Sequence, residues 1–98
     1  FGSDIQSVFY GASKSALESV TRSFSRAGAP FNVLVNTLRP GVTDSGQHKK
    51  IGKDLNNRVK LIPMKRAAMP NEIAEMIYFL AVKNTFISGE IISVTGGE

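Results

Sequence analysis

The sequence predicts part of a doubly wound α/β domain. Two stretches with helical spacing of apolar residues alternate with two short runs that are rich in β-branched residues. With a right-handed crossover, this order makes the two strands parallel. Two parallel strands leave unpaired edges, and small sheets usually need three or more strands for stability. The 98 residues are therefore expected to be an incomplete portion of a three-layer α/β/α sheet.

The first helix and the first strand follow from the apolar pattern. Apolar residues recur at three- and four-residue intervals over Tyr10–Ala27, and Gly28 supplies the stop. The next run, Asn32–Leu38, is short and apolar with poor alternation, which predicts a strand covered on both faces. It is expected to end before Pro40, because proline cannot donate to a ladder.

The middle of the chain predicts a long connection. Val42–Met69 is polar and basic, with a weak helical pattern around Leu55, Val59 and Ile62. Long connections of this kind usually carry function or move, so this segment is interpreted as a candidate lid.

A second helix and strand end the predicted order. Pro70 suits the first position of a helix, and Glu72 favours the positive end of its dipole. An apolar stripe follows it, made of Ile73, Met76, Ile77, Leu80 and Ala81. The last apolar run, Glu90–Val94, predicts a strand that Gly96 and Gly97 close.

Composition excludes several kinds of site. The chain has no cysteine and one histidine, His48, so the sequence predicts no disulfide, no thiolate zinc site and no other metal site. The net charge is +4, and Gln47–Arg66 carries seven Lys and Arg against one Asp. That segment lacks aromatic residues for base stacking, so a solvated face is favoured over a nucleic-acid interface. An anionic substrate or carrier is a further interpretation of its charge.

The sequence favours a cytoplasmic protein with no membrane partner. No apolar run approaches the roughly 20 residues that a membrane span needs. The first residues lack the basic and apolar regions of a signal peptide. Because Phe1 is not an initiator methionine, a segment upstream of it is expected.

Tyr10 and Lys14 carry the most specific chemistry in the sequence. Their i and i+4 spacing places a phenol and an ammonium one turn apart on one helix face. An ordinary phenol loses its proton near pH 10, so phenolate at pH 7 costs about 4 kcal/mol. A cation 4 Å away offsets about 1 kcal/mol in water and about 4 kcal/mol at an effective dielectric of 20. The pair can therefore activate the phenol only where water is largely excluded, and the spacing alone is weak evidence of function.

The order of these motifs resembles the short-chain dehydrogenase/reductase family over essentially the whole chain. The motifs that carry the resemblance are Tyr10-x-x-x-Lys14, the strand running into Arg39-Pro40-Gly41, the helix start Pro70-Asn71-Glu72-Ile73-Ala74, and the terminal run Ser88–Gly97. The resemblance implies that residues 1–98 form the C-terminal part of a single NAD(P)-binding Rossmann-like domain. It also implies a homo-oligomer, either a dimer or a tetramer.

The resemblance assigns a role to each matching residue. Tyr10 would be the acid or base in reversible hydride transfer between a nicotinamide and a small alcohol or carbonyl substrate. Lys14 would bind the nicotinamide ribose and favour the phenolate. The family's cofactor-binding segment matches Pro40, Gly41, Val42, Thr43 and Ser45, with backbone groups near Val42 and Thr43 holding the carboxamide. Without the resemblance, Pro40-Gly41 is better interpreted as a turn that ends a strand.

Two departures from the family pattern limit these expectations. The sequence has no Gly-x-Gly-x-x-Gly phosphate loop, and the family's catalytic Ser would fall before Phe1. The isolated 98-residue chain is therefore expected to be inactive, and the choice between NAD and NADP stays open. An inactive fragment that serves only as an assembly module is the alternative, and nucleic-acid binding through Gln47–Arg66 is a weaker one.

Overall fold

The computed structural model describes residues 5–46 and 52–98, with side chains from residue 55 onward in the second range. A short 3-10 turn, Ala29–Phe31, follows the first helix, and a π-helical turn, Phe79–Lys83, follows the last one. The helices and strands are α1 (Ile5–Gly28), β1 (Thr37–Pro40), α2 (Gly52–Leu61), α3 (Pro70–Tyr78) and β2 (Ile91–Val94).

Strands β1 and β2 are neighbours in a two-stranded sheet. Thr37 N–H donates to Glu90 O at 2.9 Å, and Gly41 N–H donates to Val94 O at 2.8 Å. The partners advance together along both strands, which is the pattern of a parallel ladder. The predicted α/β order with parallel strands is confirmed.

The chain divides into two compact units. The first contains the described part of Phe1–Thr37 together with Thr85–Ile91. The second contains the described part of Leu38–Asn84 together with Ile92–Glu98.

In the first unit, hydroxyl groups fix the inner face of α1. Thr21 and Ser25 are buried and lie one turn apart. Thr21 Oγ1 is hydrogen-bonded to Thr37 Oγ1, and Ser25 Oγ lies 2.8 Å from Ser88 Oγ. Gly89 has a φ of +79°, and a Cβ there would lie 2.9 Å from Ser25 Oγ. Small polar side chains therefore allow α1 to approach the backbone of this unit closely.

The predicted boundaries of the first helix and strand are wrong. Helix α1 begins at Ile5, five residues before the predicted start, because no proline or glycine interrupts residues 5–9. Strand β1 is Thr37–Pro40, whereas the prediction was Asn32–Leu38. Asn32 instead has a φ of +60° after the 3-10 turn, and Val35 N–H donates to Ser88 Oγ at 3.0 Å, away from a ladder.

The end of β1 explains how proline is accommodated. Backbone N–H groups of alternate residues point to the same side of a strand. Thr37 and Gly41 donate towards β2, so Pro40 lies at a position whose N–H would point the other way. Arg39 and Pro40 are exposed, so the expected cover on both faces is wrong for this described strand.

In the second unit, the weak helical pattern around Leu55 is confirmed as α2. Ile62, directly after α2, is 1% exposed and is the most buried apolar side chain among the described residues. Helix α3 begins at Pro70 as predicted, and Glu72 accepts a 3.0 Å hydrogen bond from Met69 N–H. This bond satisfies one of the donors that a helix start leaves without a partner.

Lys65 has a left-handed backbone, with a φ of +59°. A Cβ costs about 1–2 kcal/mol in this region, and glycine avoids that cost. We therefore expect Lys65→Gly to be more stable than Lys65→Ala by about 1 kcal/mol. Both variants lack the 2.6 Å hydrogen bond from Lys65 Nζ to Lys60 O, so this bond does not contribute to the difference in stability between them. Urea unfolding of both variants measures the difference.

The matched control for Lys65 is Asn57, an exposed residue inside α2. In a helix interior glycine is about 1 kcal/mol less favourable than alanine. The order of Asn57→Gly and Asn57→Ala should therefore be the reverse of the order at Lys65. The same order at both positions would contradict the assignment of strain to Lys65.

In the part of the chain that the structure describes, no helix combines the length and apolar character required to cross a bilayer.

Candidate active site

Helix α1 brings Tyr10 and Lys14 together in the first unit. Lys14 Nζ lies 5.4 Å from the centroid of the Tyr10 ring, which is within the range of a cation–π contact. The Tyr10 side chain is 56% exposed. The predicted juxtaposition is present, but in this chain the pair is not excluded from water. Activation of the phenol would need further cover over Tyr10.

A second tyrosine–lysine pair has nearly the same geometry. Lys83 Nζ lies 5.8 Å from the Tyr78 ring centroid, and Tyr78 is 55% exposed. Tyr78 and Lys83 are five positions apart in the sequence. They come close because a π-helical turn follows α3, with the Asn84 N–H bonded to Phe79 O. Proximity of a lysine to a tyrosine therefore does not by itself distinguish Tyr10. Its assignment depends on the motif in which it lies.

In the second unit, Gly41 is required by close packing. A Cβ on Gly41 would lie 2.8 Å from Thr95 Cα, a backbone atom. Gly41 N–H also donates to Val94 O at 2.8 Å, so the backbone at the end of β1 lies against the backbone of Val94 and Thr95. Gly41 therefore has a structural role, because only a residue without a Cβ lets the backbone at the end of β1 lie this close to Thr95.

After Gly41 the chain forms an isolated parallel bridge between Thr43 and Ala68. Asp44 N–H donates to Ala68 O at 2.8 Å, and Ala68 N–H donates to Val42 O at 2.9 Å. In an extended segment the groups of successive residues alternate in direction. The N–H and C=O of Thr43 therefore point to the edge opposite Ala68. The sequence predicted backbone binding groups at this position, but gave no sign of the bridge.

Asp44 and Ser45 lie in an exposed turn after this bridge. Gly46 N–H donates to Asp44 Oδ1 at 3.2 Å, and Gly46 has a φ of +83°. This is a turn in which an aspartate side chain substitutes for a backbone acceptor. Ser45 therefore lies in a locally ordered position with an exposed side chain.

An ion pair lies beside the Thr43–Ala68 bridge. Arg66 Nη1 and Nη2 lie 2.7 and 3.0 Å from the two carboxylate oxygens of Glu72. Arg66 Nη1 also donates to Ala67 O at 3.3 Å. The hydrogen bonds from Arg66 and from Met69 N–H, together with the charge of Arg66, lower the pKa of Glu72 to about 2. The same carboxylate raises the pKa of Arg66.

A small cavity adjoins the ion pair, with a volume of about 110 Å³.

The sequence indicated Glu72 only as a residue that favours the helix dipole, and it did not indicate Arg66 as the partner of Glu72. The two residues lie six positions apart, one before and one within α3, so no single helical or strand pattern contains both.

The cavity beside this ion pair is lined by Val42, Met64, Arg66, Ala68, Glu72, Val94, Thr95 and Gly96.

Other sequence-predicted features lie partly outside the described residues. His48 and the lysines at 49 and 50 lie there, and so does part of the predicted lid Val42–Met69. Among the residues that the structure describes, no group of three or more potential metal ligands comes together.

Comparison with known proteins identifies the family. The family model described as enoyl-(acyl carrier protein) reductase matches residues 3–98. The chain belongs to the short-chain dehydrogenase/reductase family. It is 32% identical to the 3-oxoacyl-(acyl-carrier-protein) reductase FabG of Aquifex aeolicus, and the alignment covers 99% of this chain and 40% of that protein. An acetoacetyl-CoA reductase of Synechocystis is 32% identical over 91% of this chain and 38% of its own length.

Solved structures agree with this membership. A short chain dehydrogenase family protein from Francisella tularensis has a TM-score of 0.76 and 31% identity, covering 90% of this chain and 42% of that one. A 3-oxoacyl-(acyl-carrier-protein) reductase from Brucella melitensis with bound NAD has a TM-score of 0.75 and 29% identity, covering 90% of this chain and 32% of that one. The chain therefore has a partial Rossmann-like α/β fold and spans about two fifths of the length of the two curated relatives.

Proposed function

We propose that this chain is the C-terminal part of an NAD(P)(H)-dependent oxidoreductase, with residues 1–98 belonging to one NAD(P)-binding domain. The observation that carries the proposal is the Tyr10–Lys14 contact in a chain of this family. The Tyr78–Lys83 pair lacks that motif, so it receives no catalytic role.

Tyr10 and Lys14 would handle the proton. A bound nicotinamide dinucleotide would supply or accept the hydride. As a carbonyl is reduced, the Tyr10 hydroxyl would give its proton to the substrate oxygen, and in the reverse direction the phenolate would remove that proton. The ammonium of Lys14 stabilises negative charge on the phenol when cover excludes water. It would also donate hydrogen bonds to the nicotinamide ribose.

The segment Pro40–Ser45 fits a group that both donates and accepts hydrogen bonds. A carboxamide carries an N–H donor and a C=O acceptor, and the two backbone groups of Thr43 point to the same edge. We propose that these groups and those of Val42 hold the nicotinamide carboxamide. Ser45 would add a hydroxyl contact, while Pro40 and Gly41 set the course of the backbone into this segment.

The substrate class follows from the relatives' names. Those relatives are named as reductases of 3-oxoacyl-acyl-carrier-protein and acetoacetyl-CoA, which are 3-oxoacyl thioesters. A 3-oxoacyl thioester therefore provides the first carbonyl to test. The expected reaction converts the 3-oxo group to an alcohol. The choice between NADH and NADPH is left to the assay.

The test starts from the natural polypeptide that contains these residues. Intact-mass measurement establishes its length, and nicotinamide absorbance then follows oxidation of NADH or NADPH with acetoacetyl-CoA. We expect turnover with one of the two nucleotides, and no turnover by the 98-residue chain alone. Absence of turnover with a panel of ketone and 3-oxoacyl substrates would contradict the proposed activity.

An assembly module is the second candidate function. Helix α1 exposes apolar side chains away from its buried face, and Phe9, Val20 and Phe24 are 65%, 46% and 61% exposed. An apolar surface of this kind is typical of an interface. Light scattering of the 98-residue chain should show self-association that Phe24→Glu abolishes. A monomer at all concentrations would contradict this candidate.

A further inference from the structure

We infer that the Arg66–Glu72 ion pair is a positioning device for the backbone of residues 42–44. The inference rests on the proposed function for its meaning, because those residues are the ones assigned to the nicotinamide carboxamide. The contacts that carry it lie within the second compact unit and do not depend on Tyr10 or Lys14.

The first step is the anchoring of the loop before α3. Both oxygens of Glu72 are bound to the guanidinium of Arg66, and one of them also accepts the N–H of Met69. A bidentate pair of this kind fixes orientation as well as distance. Since Arg66 and Met69 lie on either side of Ala67 and Ala68, one carboxylate holds the loop at two points.

The second step joins that loop to residues 42–44. Ala68 uses both of its backbone groups in the parallel bridge, one towards Val42 and one towards Asp44. Arg66 Nη1 also donates a hydrogen bond to the carbonyl oxygen of Ala67, the residue directly before Ala68. A rotation of the loop about its axis would break both bridge bonds. It would also turn the amide and carbonyl of Thr43 away from their edge.

The third step concerns the strength that the arrangement needs. The Thr43–Ala68 bridge lies outside the β1–β2 ladder and has two hydrogen bonds of its own, each of which contributes about 0.5–1.5 kcal/mol. Segments with few supporting contacts open locally far more often than a core does. The Met64 N–H bond to Gly96 O holds one end of the loop that provides Ala68, and the ion pair adds support nearer the bridge because it removes conformational freedom from residues 66–69.

Amide hydrogen exchange of the natural polypeptide that contains these residues tests the inference directly. In the wild type, the N–H groups of Asp44 and Ala68 should be protected. Glu72→Gln should lower their protection about tenfold, since it removes the carboxylate charge that strengthens the hydrogen bonds at both ends of the loop. Arg66→Lys keeps the charge but loses the fork, so its loss should be smaller. The Gly41 N–H, bonded to Val94 O, should change less than twofold.

Glu75→Gln is the matched control, since it removes one carboxylate from an exposed position of the same helix. Its exchange at Asp44 and Ala68 should equal that of the wild type. If Glu75→Gln and Glu72→Gln lose equal protection at Asp44 and Ala68, the effect comes from the total charge of the helix, and the inference is overturned. Loss of protection at Gly41 together with Asp44 and Ala68 would assign the pair to general stability and also overturn it.

A pH profile adds a signature that a packing role would not give. The pKa of Glu72 is lowered to about 2 from its ordinary value of 4.5, so the ionised carboxylate persists as the pH falls to about 3. Protection of Asp44 and Ala68 in the wild type should be lost as the pH falls through about 2. Glu72→Gln has no carboxyl group here, so its profile should lack that step. Identical profiles would contradict the inference.

Turnover separates this inference from the proposed function. In the natural polypeptide, Glu72→Gln should raise the KM for the nicotinamide nucleotide severalfold with little change in kcat. If the wild type shows no turnover while exchange responds as expected, the proposed function fails and the positioning of the backbone stands. If the wild type turns over but Glu72→Gln changes neither exchange nor KM, the positioning inference fails alone.

Discussion

Replacing Tyr10 with phenylalanine is expected to lower kcat for NAD(P)H-dependent reduction by about 10²–10⁴-fold. The substitution removes the hydroxyl that would protonate the substrate oxygen, and it retains the ring that contacts Lys14. The KM for the nucleotide should change much less, because binding does not need the proton. Steady-state kinetics of the natural polypeptide that contains these residues measure both constants.

The chain contains its own control for Tyr10. Tyr78 has the same exposure within one per cent, and its lysine lies at nearly the same distance from the ring. Tyr78→Phe therefore removes a phenol hydroxyl from a tyrosine with matching exposure and a matching distance to its lysine. We expect its kcat to match that of the wild type. A comparable loss in both variants, or in neither, would overturn the assignment of Tyr10 as the acid.

The elements with local causes could be predicted from the sequence. The contact of Tyr10 with Lys14 follows from their spacing on a helix, and the start of α3 follows from Pro70. Both depend on residues within one or two turns. The period of a helix therefore contains the information needed to place them.

The boundaries of β1 could not be predicted in the same way. Asn36 Nδ2 donates to Ile87 O at 2.9 Å, and Glu90 N–H donates to Asn36 Oδ1 at 3.1 Å. Together with the bond from Val35 N–H to Ser88 Oγ, these contacts replace ladder bonds ahead of the strand. They join residues more than 50 positions apart, so no local pattern indicates them.

The candidate cofactor segment shows the same division. The sequence indicated Pro40–Ser45 as a segment with a special backbone, through its proline and glycine. The direction of the Thr43 groups depends on the bridge to Ala68, a residue 25 positions later. That bridge in turn depends on an ion pair across a helix start. The Pro40-Gly41 motif therefore indicates where the segment begins, whereas the direction of the Thr43 backbone groups depends on contacts with residues far away in the sequence.

Ile62→Ala is expected to be the most destabilising substitution in the second unit. Ile62 is 1% exposed, and its Cγ2 would lie 3.0 Å from a Cβ at Gly96, whose φ is +66°. Truncating a buried isoleucine costs about 2–5 kcal/mol, through lost transfer free energy and the cavity that remains. Folded domains have total stabilities of roughly 5–15 kcal/mol, so in the natural polypeptide the loss should be visible as a large shift in the urea midpoint.

Leu61 provides the comparison for Ile62, because it is the preceding residue and its side chain is 78% exposed. Leu61→Ala removes a similar apolar volume from the end of α2, and surface substitutions usually change stability by less than about 0.5 kcal/mol. Equal midpoints for the two variants would contradict the position of Ile62 in the core. A large shift for Ile62→Ala alone would show that burial at the end of α2 stabilises the unit that contains Val42–Ser45.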